Sequence, residues 1–372
     1  MVVEMAKEIY VDETIGDKDS WFNIKRFKIG SKKIEKPEKT LDVKRVTKRE
    51  YENLVKNKHG FKLLEVSKTL NGFNQLQKLL EADTNKEVDD FFSRKSWYKN
   101  RYSINFTFNF NPYNHIDRLD DIGGFFDYYH SYSNLLFVPN IRKNIKRQKD
   151  KIQIIDIDNY LNFVDEVYEY LDFKNKKPIF VPVSVRLSAK DIDRLTEHYL
   201  KKGYFNYWFD FEGHVISERS LGLIRRFFNN IDSKGYFEDI VSYFTNIRRE
   251  IKSSREEEES PASDVLGSFS GANIIGVNRN IGRPMEAPPP PPLPEHKFRI
   301  FNGDTYYYDK NYDKKYQNES INNTHNSIKL LNEFTNQSNY FLNSLEIKNL
   351  LKSKKMLKEY RDGKILDLLT TK

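Results

Sequence analysis

From residue 101 onward the chain repeats one pattern: a short apolar run, a polar or Pro/Gly break, then a stretch with helical spacing. The runs cover residues 104–110, stopped by Asn111 and Pro112; 135–138, stopped by Pro139 and Asn140; 152–155, ending at Asp156; and 178–185. They continue with 206–211, ending in Glu212 and Gly213; 240–245, ending in Asn246; 273–277, ending in Asn278 and Arg279; and 297–301, ending in Asn302 and Gly303. Between them, Leu161, Val164, Val167 and Leu171 mark one helix by their spacing, and Leu221, Ile224, Phe227 and Phe228 mark another. Ser188 with Asp191 three residues later has the form of a capping box that opens a third.

Apolar strands alternating with amphipathic helices imply parallel β/α units, because a parallel crossover needs a connecting helix. Eight such units predict an α/β fold, a (β/α)8 TIM-like barrel, with an open doubly wound sheet as the alternative. The chain then divides into three segments: an N-terminal part over residues 1–100, the barrel over 101–310 and a helical extension over 311–372. In the first, residues 21–30 alternate apolar and polar before Gly30 and Ser31, which predicts a hairpin. Tyr51, Leu54, Val55, Phe61, Leu64 and Leu70 favour helices over residues 47–80, interrupted near Gly60 and Gly72. In the last, Ile328, Leu331 and Phe334, then Leu342, Leu345, Leu350 and Leu351, predict two helices that pack on the barrel or on a second copy of the chain.

Composition narrows the chemistry. With no cysteine, disulfides, thiolate zinc sites and cysteine nucleophiles are excluded. His115, His130, His198, His214, His296 and His325 show no ligand spacing, and no phosphate-binding loop or nucleophile elbow occurs, so neither metal nor cofactor is expected. No apolar stretch reaches a membrane span, and residues 1–12 lack the apolar region of a signal peptide; a cytoplasmic location is expected. The net charge of +8 permits contact with polyanions. Arg142, Lys143, Lys146, Arg147, Lys149 and Lys151 form a dense basic run near Tyr128, Tyr129 and Tyr132, which suits either a phosphate footprint with stacking rings or a solvated helix. The acidic stretch 255–259 reads as a solvated loop, and prolines 288–292 with Pro294 as a polyproline spacer.

Sites in barrels occur where strands end. That position nominates Asn140, Arg186, Asn246, Arg248, Asn278 and Arg279 as ligand-binding residues, their amides and guanidiniums suiting bases, phosphates or carboxylates. Asp210 and Glu212 are the candidate catalytic pair: alternate strand residues face one side, and crowding of two carboxylates splits their pKa values into acid and base. The structural alternative pairs them with Arg186 or Arg248.

Three stretches together resemble the tRNA-guanine transglycosylase family. Residues 30–37 (Gly-Ser-Lys-Lys-Ile-Glu-Lys-Pro) are similar to its opening turn, residues 121–126 (Asp-Ile-Gly-Gly-Phe-Phe) to its Asp-Ser-Gly-Gly-Phe-Gln motif, and 261–266 with 271–280 to its late helix, strand and Arg-Asn loop. The resemblance implies a (β/α)8 barrel acting on nucleic acid. It also implies a late-strand Asp nucleophile, where this chain offers Asn273 and Gly276, and a structural zinc on cysteines, which it lacks. The resemblance and these departures together imply a transglycosylase-like barrel without base-exchange activity that binds RNA, DNA or a nucleotide through its basic loops. Two alternatives stand beside it: a metal-independent enzyme on a nucleoside or carbohydrate using Asp210 and Glu212, and an assembly protein that forms homo-oligomers through its C-terminal helices.

Overall fold

The strand Leu64–Leu70 pairs in parallel with Tyr102–Phe108 along its whole length, Leu64 opposite Tyr102 and Leu70 opposite Phe108. The structure, a computed structural model, describes residues 9–56, 60–94, 102–142, 156–172, 177–251, 257–279 and 298–372. By contacts the chain divides into two units. One consists mainly of Leu63–Asp210 and Arg226–Val241, the other of Val11–Lys62, Phe211–Arg225 and Ser242–Lys372.

In the first unit the parallel ladder follows chain order. Thr107 and Phe108 oppose the short strand Asn140–Ile141; Leu136–Phe137 opposes Ile179 and Phe180; and Ile179–Ser184 runs beside Asn206–Asp210, with Ser184 opposite Asp210. Helices Asn74–Leu80, Asn85–Phe92, Gly123–Tyr132, Ile157–Asp172 and Ala189–Lys202 alternate with these strands. Period-two alternation sorts the side chains. Phe106 and Phe108 meet Phe125 of a covering helix at 5.2 and 6.0 Å between ring centres, and Tyr207 and Phe209 meet Phe227 of helix Glu218–Asp232 at 4.9 and 5.2 Å. Ser103, Asn105, Thr107, Trp208 and Asp210 take the opposite face, and all five are buried. The helix Ala189–Lys202 starts and stops as its sequence dictates. Ser188 accepts from the Asp191 N–H while the Asp191 carboxylate reaches back, and Gly203 ends it at φ +75°, where a Cβ is disfavoured.

In the second unit Val241–Thr245 runs parallel to Ile274–Ile275, and Ile274–Ile275 runs parallel to Glu38–Lys39. The amides of Glu38 and Thr40 donate to the carbonyls of Asn273 and Ile275, both at 3.0 Å. The earliest parallel strand thus pairs with the latest. An open sheet whose strands follow chain order leaves those two at opposite edges; a barrel makes them neighbours. The fold is α/β and TIM-like, and the doubly wound alternative is set aside. Two small antiparallel sheets accompany this ladder, Val11–Gly16 with Asn23–Ile29 and Lys32–Ile34, and Glu259–Pro261 with Tyr307–Lys310 and Arg299–Asn302. The first contains the expected hairpin, turned at Gly30 with φ +53°. Helix Glu319–Ser344 buries Leu330, Phe334 and Phe341, the last ring lying edge-on to Phe22 at 5.2 Å.

Several elements differ from expectation. Residues 64–70 form a strand, not a helix, while Lys48–Lys56 and Asn74–Leu80 are helical as expected. The run ending at Phe301 is a strand, but an antiparallel one outside the β/α repeat. Two strands that were not expected join the parallel pairing: Leu64–Leu70, and Glu38–Lys39 with its continuation Leu41–Asp42. The C-terminal periodicity belongs to one long helix ending at Ser344 and then three short ones, with Leu345 as a left-handed cap. The expected strand at 152–155, the basic residues beyond Arg142 and the polyproline stretch lie outside the described residues. Tyr129 is not a surface ring: it is fully buried, and its hydroxyl donates to the Ile104 carbonyl at 2.8 Å. Among the described residues no helix is long and apolar enough to cross a membrane.

Candidate functional site at the strand ends

In the first unit the C-terminal strand ends converge on Asp210. One carboxylate oxygen accepts from the Thr107 hydroxyl at 2.6 Å and from the Asn140 side-chain amide at 3.1 Å; all three residues are fully buried. The Asn140 carbonyl oxygen in turn accepts from the Tyr160 hydroxyl at 3.2 Å. Three strands and the helix Ile157–Asp172 therefore supply one member each, and the strand ladder fixes their relative positions. Tyr160 also lines a pocket of about 210 Å³ together with Asp156, Arg186, Lys190, Asp191 and Arg194. Asp191 is engaged in capping at Ser188, and Arg194 pairs with Asp158. The pocket is smaller than the roughly 300–1,000 Å³ typical of sites for drug-sized molecules, so it suits a small polar group.

The second unit carries a denser polar cluster. Asp264 is fully buried, and one of its oxygens accepts from the Tyr308 hydroxyl at 2.9 Å and the Asn278 amide at 2.8 Å. Its other oxygen has no hydrogen-bond partner among the described residues. Burial pushes the Asp264 carboxyl up to about 6, against the opposing pull of Lys39, Tyr308, Arg249 and Asn278. Lys39, itself buried, donates to the Gly276 carbonyl. The Arg249 guanidinium stands 4.8 Å from the centre of the Tyr308 ring and shares Glu250 with Arg299. One strand position before Lys39, burial raises Glu38 to about 7, with Lys62 opposing. The recess lined by Lys39, Arg45, Arg249, Asn278 and Asn323 measures about 20 Å³, which is room for about one water.

Of the nominated residues, the structure joins Asn140 and Asp210 directly and puts Arg186 on the wall of the pocket that Tyr160 shares. Asn246, Arg248, Asn278 and Arg279 follow the late strands of the other unit on adjoining backbone. Ile247 bridges to Asn278, the Arg279 amide donates to the Ile247 carbonyl at 3.0 Å, and the Asn246 amide donates to Val277 at 2.9 Å. Glu212 needs a correction of rationale. The strand stops at Asp210, and Glu212 sits in a left-handed turn at φ +52°, so strand alternation does not relate the two side chains. The motif aspartate Asp121 caps a turn, accepting from the amides of Asp117 and Arg118 at 3.1 and 3.0 Å. Asn273 is equally engaged, accepting from the Ser242 amide and donating to Asn23.

The sequence matches no protein-family model and no curated protein. Solved structures to which it is similar include QR15, an aldolase (TM-score 0.35, 12% identity, 64% of this chain and 88% of that one). Others are DHODH from Eimeria tenella in complex with ferulenol (0.39, 11%, 67% and 77%) and the tryptophan synthase a2b2 complex from Pyrococcus furiosus (0.33, 12%, 65% and 87%). Likeness at this level carries nothing about this chain's chemistry.

The clusters contain residues that strand-end position alone did not nominate: Thr107, Tyr160, Lys39, Arg249, Asp264 and Tyr308. Thr107 and Lys39 belong to strands, and their signal is a polar side chain at a buried alternate position. Arg249 adjoins a nominated arginine. Asp264 and Tyr308 come together through the small antiparallel sheet, a tertiary pairing with no local signature.

Proposed function

We propose that the protein is a TIM-like barrel that binds nucleic acid through the turns after its late strands, without base-exchange activity. The observation that carries this is the backbone adjacency of the turns after the late strands, which brings the half-buried Arg248 and Arg279 onto neighbouring turns. Such groups suit phosphates and base edges, and guanidinium forks engage phosphate at two points. Lack of base exchange is supported by the late strand, where Asn273 is engaged with Ser242 and Asn23 and Gly276 has no side chain to attack a ribose. The resemblance to tRNA-guanine transglycosylases points the same way on ligand class.

Arg248→Ala and Arg279→Ala are each expected to weaken binding of single-stranded RNA and to flatten the plot of log K against log salt by about one unit, the signature of a lost phosphate contact. Titration of wild type and both variants over a range of salt concentrations tests this. Unchanged affinity and slope in both would refute it.

A second reading, hydrolysis of a nucleoside or carbohydrate, is favoured by one observation: the Asp210 carboxylate, held by Thr107 and Asn140, is linked through Asn140 to Tyr160 on the wall of a small pocket. It requires turnover that Asp210→Asn abolishes, followed by release of reducing sugar.

A further inference from the structure

One described pocket has no strand residue in its lining. It is a groove of about 660 Å³ lined by the start of helix Lys48–Lys56, the turn Lys314–Gln317 and the first turns of helix Glu319–Ser344. That volume falls within the range that accepts a whole small-molecule ligand, unlike the 20 Å³ recess. Its walls are tied together: Glu50 accepts from both the amide and the hydroxyl of Thr47 at 2.8 Å, and also from the Ser320 hydroxyl of the facing helix. Arg45 and Glu319 add an ion pair at 3.6 Å. A site held this way loses little freedom when occupied.

The lining has the parts of a nucleotide site. Tyr316 and His325 lie ring to ring, 4.6 Å between centres and tilted by 41°, as a half-buried aromatic platform. Burial, with Lys329 and Lys315 nearby, holds the His325 imidazole below its usual pKa and thus neutral at pH 7. Arg49 and Lys315 are exposed cations on the rim, and Lys315 stands 5.3 Å from the centre of the Tyr316 ring. The two helices begin here, but Thr47 and Asn318 cap their first amides and Glu50 and Glu319 stand in their first turns, so the attraction for a phosphate rests on the two side-chain cations. Independently, the Thr324 hydroxyl lines the groove and has no hydrogen-bond partner among the described residues, although Thr324 is only 7% exposed. A buried hydroxyl in that state calls for a partner.

We propose that this groove binds a nucleoside 5′-monophosphate unit, free or as one residue of a single strand. The base stacks on Tyr316 and His325, the phosphate meets Arg49 and Lys315, and Thr324 takes a hydrogen bond from the base edge or ribose. The inference rests on the nucleic-acid reading for its ligand class and adds a site that reading does not use.

Calorimetric titration with adenosine 5′-monophosphate and with a short oligoadenylate tests it, on wild type and on Tyr316→Ala, Tyr316→Phe, Arg49→Ala and Arg279→Ala. Tyr316→Ala and Arg49→Ala are expected to weaken binding about tenfold or more, Tyr316→Phe to retain it, and Arg279→Ala to leave mononucleotide binding unchanged. Binding of the oligoadenylate alone, lost in Tyr316→Ala, supports the proposal with a strand as the source; binding of both ligands supports it for free nucleotide as well. Failure of both ligands to bind, or equal binding by Tyr316→Ala and wild type, overturns it. Strand binding that falls in Arg279→Ala but ignores Tyr316→Ala overturns the groove and leaves the late-strand turns standing; the reverse removes those turns and leaves the groove.

Discussion

Replacing Asp264 by Asn is expected to raise the free energy of unfolding by about 2–3 kcal/mol near pH 8 and to leave it nearly unchanged near pH 4. The carboxyl titrates from 3.8 in an unperturbed setting to about 6 in the folded chain, because burial penalises its charged form more than Lys39, Tyr308, Arg249 and Asn278 together favour it. A raised carboxyl pKa means that the folded state binds the proton more tightly than the unfolded one. The associated stabilisation is complete below about pH 4 and is lost as pH rises through about 6. Two pKa units correspond to about 3 kcal/mol, and the group is fully buried, so solvent screening does not dilute it. Asn keeps an oxygen to accept from Tyr308 and Asn278 and mimics the protonated acid, which removes the penalty at high pH and little else. Glu38, raised to about 7 by the same cause, leaves the variant with a residual fall in stability of the same sign. Urea denaturation across this pH range decides the matter. Destabilisation by Asp264→Asn near pH 8, where the carboxyl is ionised, would mean that the cluster needs the carboxylate's charge.

Much of the repeat was legible because its strands are apolar and end abruptly. Ile179–Ser184 and Asn206–Asp210 fall within the expected runs, and Ser188 with Asp191 opened a helix as their spacing requires. Two parallel strands were missed for one physical reason. A strand in this fold needs an apolar face only toward the covering helix, and its other face can be polar when a partner satisfies it. In Leu64–Leu70 the alternate residue Glu65 is fully buried and accepts from Asn105 at 2.6 Å, so the strand presents neither a continuous apolar run nor a clean alternation against water. Glu38–Lys39 is more extreme: two charged residues become strand by pairing with Ile274 and Ile275. The error at Phe301 was of another kind. Asn302, Gly303 and Asp304 are turn formers, and the turn they make leads straight into Tyr307–Lys310 as an antiparallel partner. At the site, position picked out Asn140 and Asp210, yet Asp264 stayed hidden because its partners Tyr308 and Asn278 lie far off in sequence.

Asp210→Ala should cost about 2–6 kcal/mol of stability, with Asp210→Asn costing less. The alanine leaves two buried donors, the Thr107 hydroxyl and the Asn140 amide, without the oxygen that both now use, and each stranded group costs about 1–3 kcal/mol. The loss reaches further than one contact. Asn140 is oriented between Asp210 on its amide side and the Tyr160 hydroxyl on its oxygen side, so removing the carboxylate frees it to rotate and loosens Tyr160 at the pocket wall. Asn at position 210 still offers one oxygen, while its amide faces donors rather than acceptors, which places its cost between alanine and wild type. Thr107→Val, which removes one donor together with its need for a partner, is expected to be milder than either. Urea midpoints with an unchanged m-value measure the order alanine, asparagine, valine. A fully tolerated alanine would mean that water replaces the carboxylate as the acceptor for Thr107 and Asn140.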